Sequence, residues 1–192
     1  MIAPAPRLDP APTPLVRERM LHVVQGEFAV VGEPGVVLTT ILGSCVATCI
    51  WDAAVGVGGM NHFLLPGDAD SGSDSVKYGV NAMELLVNGL LQRGAVRSKL
   101  QAKVFGGAKV IRNLSDVGAK NAEFALEFLR LEGIPCMANS LGGERARRVR
   151  FWPLTGRAGQ LLLEAAPEVL NAEQPRRPAP AQNSAAGSIE LF

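Results

Sequence analysis

Residues 45–65 read Cys45-Val46-Ala47-Thr48-Cys49-Ile50-Trp51-Asp52-Ala53-Ala54-Val55-Gly56-Val57-Gly58-Gly59-Met60-Asn61-His62-Phe63-Leu64-Leu65. Two apolar runs rich in β-formers, Cys45 to Trp51 and Val57 to Leu65, flank the turn residues Asp52 to Gly56, which predicts an antiparallel hairpin. A loop of two or four residues centred between Ala53 and Ala54 pairs Trp51 with Gly56, Cys49 with Gly58, Ala47 with Met60 and Cys45 with His62. Opposed residues share a face, with Cβ atoms roughly 4.5–5.5 Å apart, so this register brings a thiol to an imidazole. A loop of three or five residues slips the pairing by one and puts the two on opposite faces. Ala53-Ala54 suits a type I′ turn poorly, which favours the four-residue loop.

Outward from the hairpin, strand signals dominate the N-terminal side. Glu27 to Val31 and Val36 to Thr40 are short β-branched runs about the turn cluster Gly32-Glu33-Pro34-Gly35, and Gly43-Ser44 breaks the run that follows. On the C-terminal side, Pro66 to Asp74 reads as a loop. Tyr78, Ala82, Leu85, Leu86 and Leu90 then recur at helical spacing, closed by Gly94. Leu100 to Phe105 is a strand ended by Gly106-Gly107. Phe124, Phe128 and Leu131 mark a second amphipathic helix that stops at Gly133 and Pro135. Ile134 to Ala138, Arg147 to Trp152 and Gln160 to Leu163 are further strands. Many strands and two helices predict an α+β layered fold in a single domain, with the helices covering one face of the sheet material.

Residues 1–20 hold five prolines, which remove backbone donors and read as a mobile arm. The Pro/Ala/Ser-rich stretch 171–192 reads as a second tail, which leaves residues 21–170 as the folded domain. The chain of 192 residues is 47% hydrophobic and 19% charged, a globular composition. A net charge of +1 offers no reason to expect nucleic acid or an anionic membrane as partner. No apolar run reaches the roughly 20 residues of a membrane span, and the start lacks a signal peptide's apolar stretch, so a cytoplasmic location without membrane insertion is expected.

Three cysteines argue against a disulfide framework. By itself Cys45 reads as a small buried hydrophobe as readily as a reactive thiol. The opposed His62 makes the pair a candidate nucleophile and base. Cys45 and Cys49 lie roughly 13 Å apart along a strand at about 3.3 Å per residue, too far to share one zinc ion. Cys49 and Cys136 are therefore read as core, and no metal site is expected. Ser44 adjoins the thiol but lacks a Gly-x-Ser-x-Gly elbow, so it is rejected as nucleophile. Arg145, Arg147, Arg148 and Arg150 form a basic cluster that reads either as a steering patch for acidic helices or as a solvated edge strand.

Thr39-Thr40-Ile41-Leu42-Gly43-Ser44-Cys45, followed by Gly58-Gly59-Met60-Asn61-His62-Phe63-Leu64-Leu65-Pro66, closely resembles the CheD family of chemoreceptor glutamine deamidases. The likeness continues through Lys77-Tyr78-Gly79, Ala82-Met83, Ala102-Lys103-Val104-Phe105-Gly106-Gly107-Ala108, Asn121 to Phe124, Leu141-Gly142-Gly143 and Leu154-Thr155-Gly156. It spans about residues 21–165. Lys120 stands where the family pattern leads one to expect arginine, and Ser140 where it leads one to expect aspartate.

The resemblance implies an α/β/β layered sandwich related to bacterial toxin deamidases. It also implies a catalytic set of Cys45, His62 and Thr39, with no cofactor and no metal. The implied reaction converts glutamine side chains of methyl-accepting chemotaxis receptors to glutamate, with release of ammonia. Cys45 attacks the carboxamide as a thiolate supported by a protonated His62, giving a thioester that water hydrolyses. Thr39 orients the imidazole, the part played by an acidic or amide side chain in other triads. The alternative is a non-catalytic chemotaxis adaptor that binds receptors or, as some relatives do, a CheC-type phosphatase. Another Cys-His hydrolase, such as a peptidase or transglutaminase-like enzyme, is the third reading.

Overall fold

A computed structural model of the protein describes residues 17–66, 72–109 and 117–164. The described strands are β1 (Arg19–His22), β2 (Phe28–Val31), β3 (Val36–Leu42), β4 (Val46–Asp52), β5 (Val57–Asn61), β6 (Gln101–Gly106), β7 (Cys136–Leu141), β8 (Arg147–Trp152) and β9 (Arg157–Leu162). Helix α1 (Gly72–Gln92) follows β5, and α2 (Val117–Leu131) precedes β7. No described helix is long and apolar enough to cross a membrane.

The strands form two sheets, one ordered β1-β3-β8-β9 and the other β2-β5-β4-β6-β7. All seven residues of β4 are buried, because the larger sheet is covered on both faces. Val46 and Ile50 turn to one face, where they meet Leu86 and Leu90 of α1 and Phe128 and Leu129 of α2. Ala47, Cys49 and Trp51 turn to the other, where they meet Leu38 and Leu42 of β3 and Val149 and Phe151 of β8. Helices, five-stranded sheet and four-stranded sheet therefore stack as the α/β/β sandwich expected of an α+β single domain.

Three elements depart from the sequence reading. Strand β1 begins at Arg19, inside the segment 1–20 expected to be an arm, and runs parallel to β3 with Leu21 beside Leu38. Its pairing partner lies beyond the local window, and three charged neighbours, Arg17 to Arg19, hide its alternation. Residues 1–16 of that arm, and the tail 171–192, lie outside the described residues. Helix α1 starts at Gly72, within the stretch 66–74 expected to be a loop. Strand β8 lies inside its sheet between β3 and β9, so the arginine-rich segment is not an edge. Arg147 is buried and donates to the Ser140 carbonyl and hydroxyl and to the Gly142 carbonyl, tying the two sheets together, while Arg145 and Arg150 are exposed.

Candidate active site

Cys45 ends the bend that carries the chain from β3 in one sheet to β4 in the other. All three carbonyls of this bend are held from outside. The Gly43 oxygen accepts from Ala108 N at 2.7 Å, the Cys45 oxygen from Gly107 N at 2.8 Å, and the Ser44 oxygen from the Asn121 side chain at 3.0 Å. The Asn121 carboxamide oxygen also accepts from Leu65 N at 2.8 Å. One fully buried amide thus clamps the Cys45 bend to the segment that follows His62. The sequence reading assigned no role to Asn121, Gly107 or Ala108. Their only signal was membership of the runs that carry the family likeness.

The hairpin has the predicted partners and a different register. Asp52 faces Val57, Trp51 faces Gly58 and Cys49 faces Met60, with Val46 bridged to Phe63. This is a shift of two residues from the pairing expected. The loop has four residues, Ala53 to Gly56, centred one position later than anticipated. Two features set it there: the Asp52 carboxylate accepts from Ala54 N at 3.0 Å, and Gly56 takes a positive φ of 71° at the last loop position. An even shift leaves every side chain on its expected face. Cys45 and His62 still share the face turned toward the smaller sheet. They are diagonal neighbours rather than opposed, about 7–8 Å apart along the backbone, which an imidazole and a thiol together can span.

His62 Nδ1 lies 2.9 Å from the Thr40 hydroxyl and 3.4 Å from the Val23 carbonyl. The same hydroxyl lies 2.7 Å from the Val23 oxygen and must donate to it, since a carbonyl can only accept. Thr40 then has only acceptor capacity left for the ring. The relay runs from His62 Nδ1–H to Thr40 Oγ, and from Thr40 Oγ–H to Val23 O. The tautomer follows: Nε2 carries the lone pair, and it is buried without a hydrogen-bond partner.

The hydroxyl on the imidazole is therefore Thr40's and not Thr39's. In the pairing of β3 with β8, Thr40 opposes buried Val149 and looks into the space between the sheets, whereas Thr39 opposes exposed Arg150 and looks outward. The Thr39 hydroxyl donates instead to the Val149 carbonyl at 2.8 Å. Counting residues back from the cysteine selects Thr39; the two-residue period of the strand selects Thr40.

Burial pushes His62 down from its ordinary 6.5 to about 4, opposed only by the bond to the Val23 carbonyl. Among the described residues, no carboxylate is hydrogen-bonded to the ring to stabilise a positive charge. The resting imidazole is neutral at neutral pH, which differs from the standing ion pair expected. Unfolding lets His62 take up a proton below pH 6.5 that the folded protein refuses until about pH 4. Its contribution to stability is thus complete above pH 6.5 and is lost as the pH falls toward 4, by up to roughly 3 kcal/mol. Urea unfolding at several pH values should show a steeper loss over this window in the wild type than in His62→Gln; parallel curves would mean that His62 is not held neutral.

Cys45 is 1% exposed and His62 6%, so the described site is nearly closed. The Cys45 Sγ donates at 3.5 Å to the carboxamide oxygen of half-exposed Gln25, a residue that the sequence reading did not single out. Cys49 is wholly buried, its thiol pushed up by desolvation, and Cys136 is half-buried against the helix-side core. Both agree with the expected core roles. Among the described residues no three metal-ligating side chains cluster. Lys120 is exposed on α2, and Ser140 bonds Arg147 and Gln160, so neither departure from the family pattern touches Cys45, His62 or Thr40.

The model of the family described as CheD, chemotactic sensory transduction, matches residues 64–160. A curated relative from Rhizobium rhizogenes, named probable chemoreceptor glutamine deamidase CheD, is 54% identical over 177 residues, covering 91% of this chain and 96% of its own. One of the same name from Caulobacter vibrioides is 55% identical, covering 90% of this chain and 92% of its own. Among solved structures, the Bacillus licheniformis hypothetical protein YfiH aligns at a TM-score of 0.40 and 12% identity over 65% of this chain and 60% of its own, a likeness that bears no weight. The family model begins two residues after His62, but the full-length relatives extend across the Cys45 bend and the hairpin as well. With this identity carried over nine-tenths of its length, the chain belongs to the CheD family.

Proposed function

We infer that this chain is a protein-glutamine deamidase of chemotaxis receptors, with Cys45 as nucleophile and His62 as base and acid. The observation that carries the reading is the bare Nε2 of His62, fixed in its tautomer by Thr40 and turned to the face that bears the thiol. The Cys45 proton passes to Nε2 as the sulfur attacks the glutamine carbonyl carbon. The π pair moves onto the oxygen and returns as the C–N bond breaks, and the imidazolium gives its proton to the departing ammonia. Water, deprotonated by the neutral ring, then hydrolyses the thioester to glutamate and frees the thiol. Each turnover leaves one new negative charge on the receptor. A substrate embedded in the cytoplasmic part of a receptor calls for a cytoplasmic enzyme.

Neutral His62 suits this sequence, because a base must start unprotonated to accept the thiol's proton. The near-closed thiol is the feature that favours an adaptor role, in which the chain binds receptors or a CheC-type phosphatase without turnover. Incubation with receptor cytoplasmic fragments, followed by peptide mass spectrometry, separates the readings. Gln-to-Glu conversion with ammonia release is expected, and binding without conversion would leave only the adaptor.

The relay makes a second expectation. Thr40→Val keeps the shape and removes the hydroxyl on His62 Nδ1, so kcat should fall on the order of 10-fold to 10²-fold, within the range of a weakened general base. Thr39→Val should leave kcat within a few fold and cost about 1 kcal/mol of stability for one buried hydrogen bond. Equal losses of kcat, or a larger loss at Thr39, would remove Thr40 from the site.

A further inference from the structure

The loop from Val23 to Glu27 joins β1 of the smaller sheet to β2 of the larger one, and it passes directly over the site. Its backbone is pinned on both sides of Gln25. Val23 N donates to Thr39 O at 2.9 Å, and the Val23 carbonyl ends the Thr40–His62 relay. Gly26 N donates to His62 O at 2.7 Å, and His62 N donates to Glu27 O at 3.0 Å. Gln25 stands between these anchors, half-exposed, with its carboxamide at 3.5 Å from Cys45 Sγ.

We propose that Gln25 is a catalytic residue whose carboxamide N–H stabilises the oxyanion formed when Cys45 attacks the substrate. The proposal rests on the reading of Cys45 as nucleophile. The carbon attacked by Sγ lies one bond from the sulfur, and its oxygen one bond further. A carboxamide whose oxygen already lies at van der Waals distance from Sγ can therefore bring its NH₂ end within reach of that oxygen when its terminal torsion turns. A carboxamide is suited to both stages. In the resting enzyme its oxygen accepts the thiol S–H. Once that proton has moved to His62 Nε2, the acceptor end has no partner, and a half-turn about the terminal torsion presents the NH₂ end to the negative oxygen. Such torsions are soft and roughly two-fold, so the half-turn is inexpensive. When the tetrahedral adduct collapses, the electron pair returns to the carbonyl, the C–N bond breaks, and ammonia leaves with the proton from His62. Gln25 gains and loses no atoms.

The pinned backbone is what makes the donor effective. The loop holds the carboxamide beside the sulfur before charge develops, so that only its terminal torsion has to turn, and removing an oxyanion donor typically costs on the order of 10²-fold in kcat. The side chain projects from a loop whose anchors are the catalytic histidine's own backbone and its relay partner. Motion of Gln25 relative to His62 is restricted as a consequence.

The test is steady-state deamidation of a receptor cytoplasmic fragment by the full chain and by Gln25→Ala, Gln25→Glu and Cys45→Ala. Gln25→Ala should lose on the order of 10²-fold in kcat with KM little changed. Gln25→Glu matches the shape but replaces the donor with a negative charge. It should lose at least as much, and its Cys45 should react more slowly with iodoacetamide. Both should melt within a few degrees of the wild type, because the side chain is half-exposed. A kcat for Gln25→Ala within twofold of the wild type overturns the proposal. A kcat above wild type also overturns it, and would mark Gln25 as a plug that substrate must displace. Were Cys45→Ala itself active, the nucleophile reading would fail. An inactive Cys45→Ala beside an unimpaired Gln25→Ala would sink only the role given to Gln25.

Discussion

Cys45→Ala should remove deamidation by at least about 10³-fold while leaving a folded protein, since losing a nucleophile eliminates the covalent route altogether. The separation between the two effects is the point of the experiment. The thiol is buried at the end of the inter-sheet core, so its removal deletes one sulfur's worth of contact and leaves a small void. That costs about 1–2 kcal/mol, or a few degrees in melting temperature for a domain of this size. The backbone of the bend does not depend on the side chain. Its three carbonyls are held by Ala108 N, Gly107 N and Asn121, none of which contacts sulfur in doing so. Ammonia release and the Gln-to-Glu mass shift of the receptor should therefore vanish from the assay while circular dichroism stays native. Retained turnover would mean that another group performs the attack.

Gly106→Ala should produce the largest loss of stability of any single methyl added near the site. Gly106 has a φ of 113°, where side chains are rarely tolerated, and a Cβ placed on it would lie 2.1 Å from the Cys45 carbonyl oxygen. Backbone strain of about 1–3 kcal/mol adds to a clash that costs a similar amount, so destabilisation of about 3 kcal/mol or more is expected. The atom in the way is backbone, belongs to Cys45 itself, and accepts the hydrogen bond from Gly107 N. Relief must therefore come from moving Cys45 or opening that bond. Either shift displaces the thiol from His62, and a displacement near 1 Å can cost on the order of 10² in rate. A melting temperature lowered by roughly 6–12 °C and a reduced kcat in the surviving folded fraction are the expected pair of results. A variant with wild-type stability and rate would show that the bend tolerates movement at its carbonyl.

The even two-residue slip in the hairpin shows what kind of information carried the site. Face assignment depends only on parity, and parity survived because both the anticipated and the actual loop hold four residues. The exact partner of Cys45 did not survive. It depends on where the loop is centred, and that was decided by Asp52 capping Ala54 N and by Gly56 taking the last position. Both residues were visible, but their effect is a balance of turn geometries that composition alone does not weigh. Thr39 and Thr40 are a sharper case. They are adjacent, chemically identical and both buried, so no property of either residue distinguishes them. The distinction is which one faces the second sheet.

Read alone, the chain determined its α+β class, the two amphipathic helices, eight of the nine described strands, the placing of Cys45 and His62 on one face and the family likeness. Each of these follows from periodicities of two or 3.6 residues, or from ordered motifs, that act over short stretches. Only the tertiary structure decided that Thr40 orients His62, that Asn121 clamps the bend from 76 positions away from Cys45, that β1 belongs to the fold, and that Gln25 lies on the sulfur. Those contacts join strands and loops of different layers. They are set by how two sheets and a helix pack, an energy shared among many distant side chains and written in no local pattern.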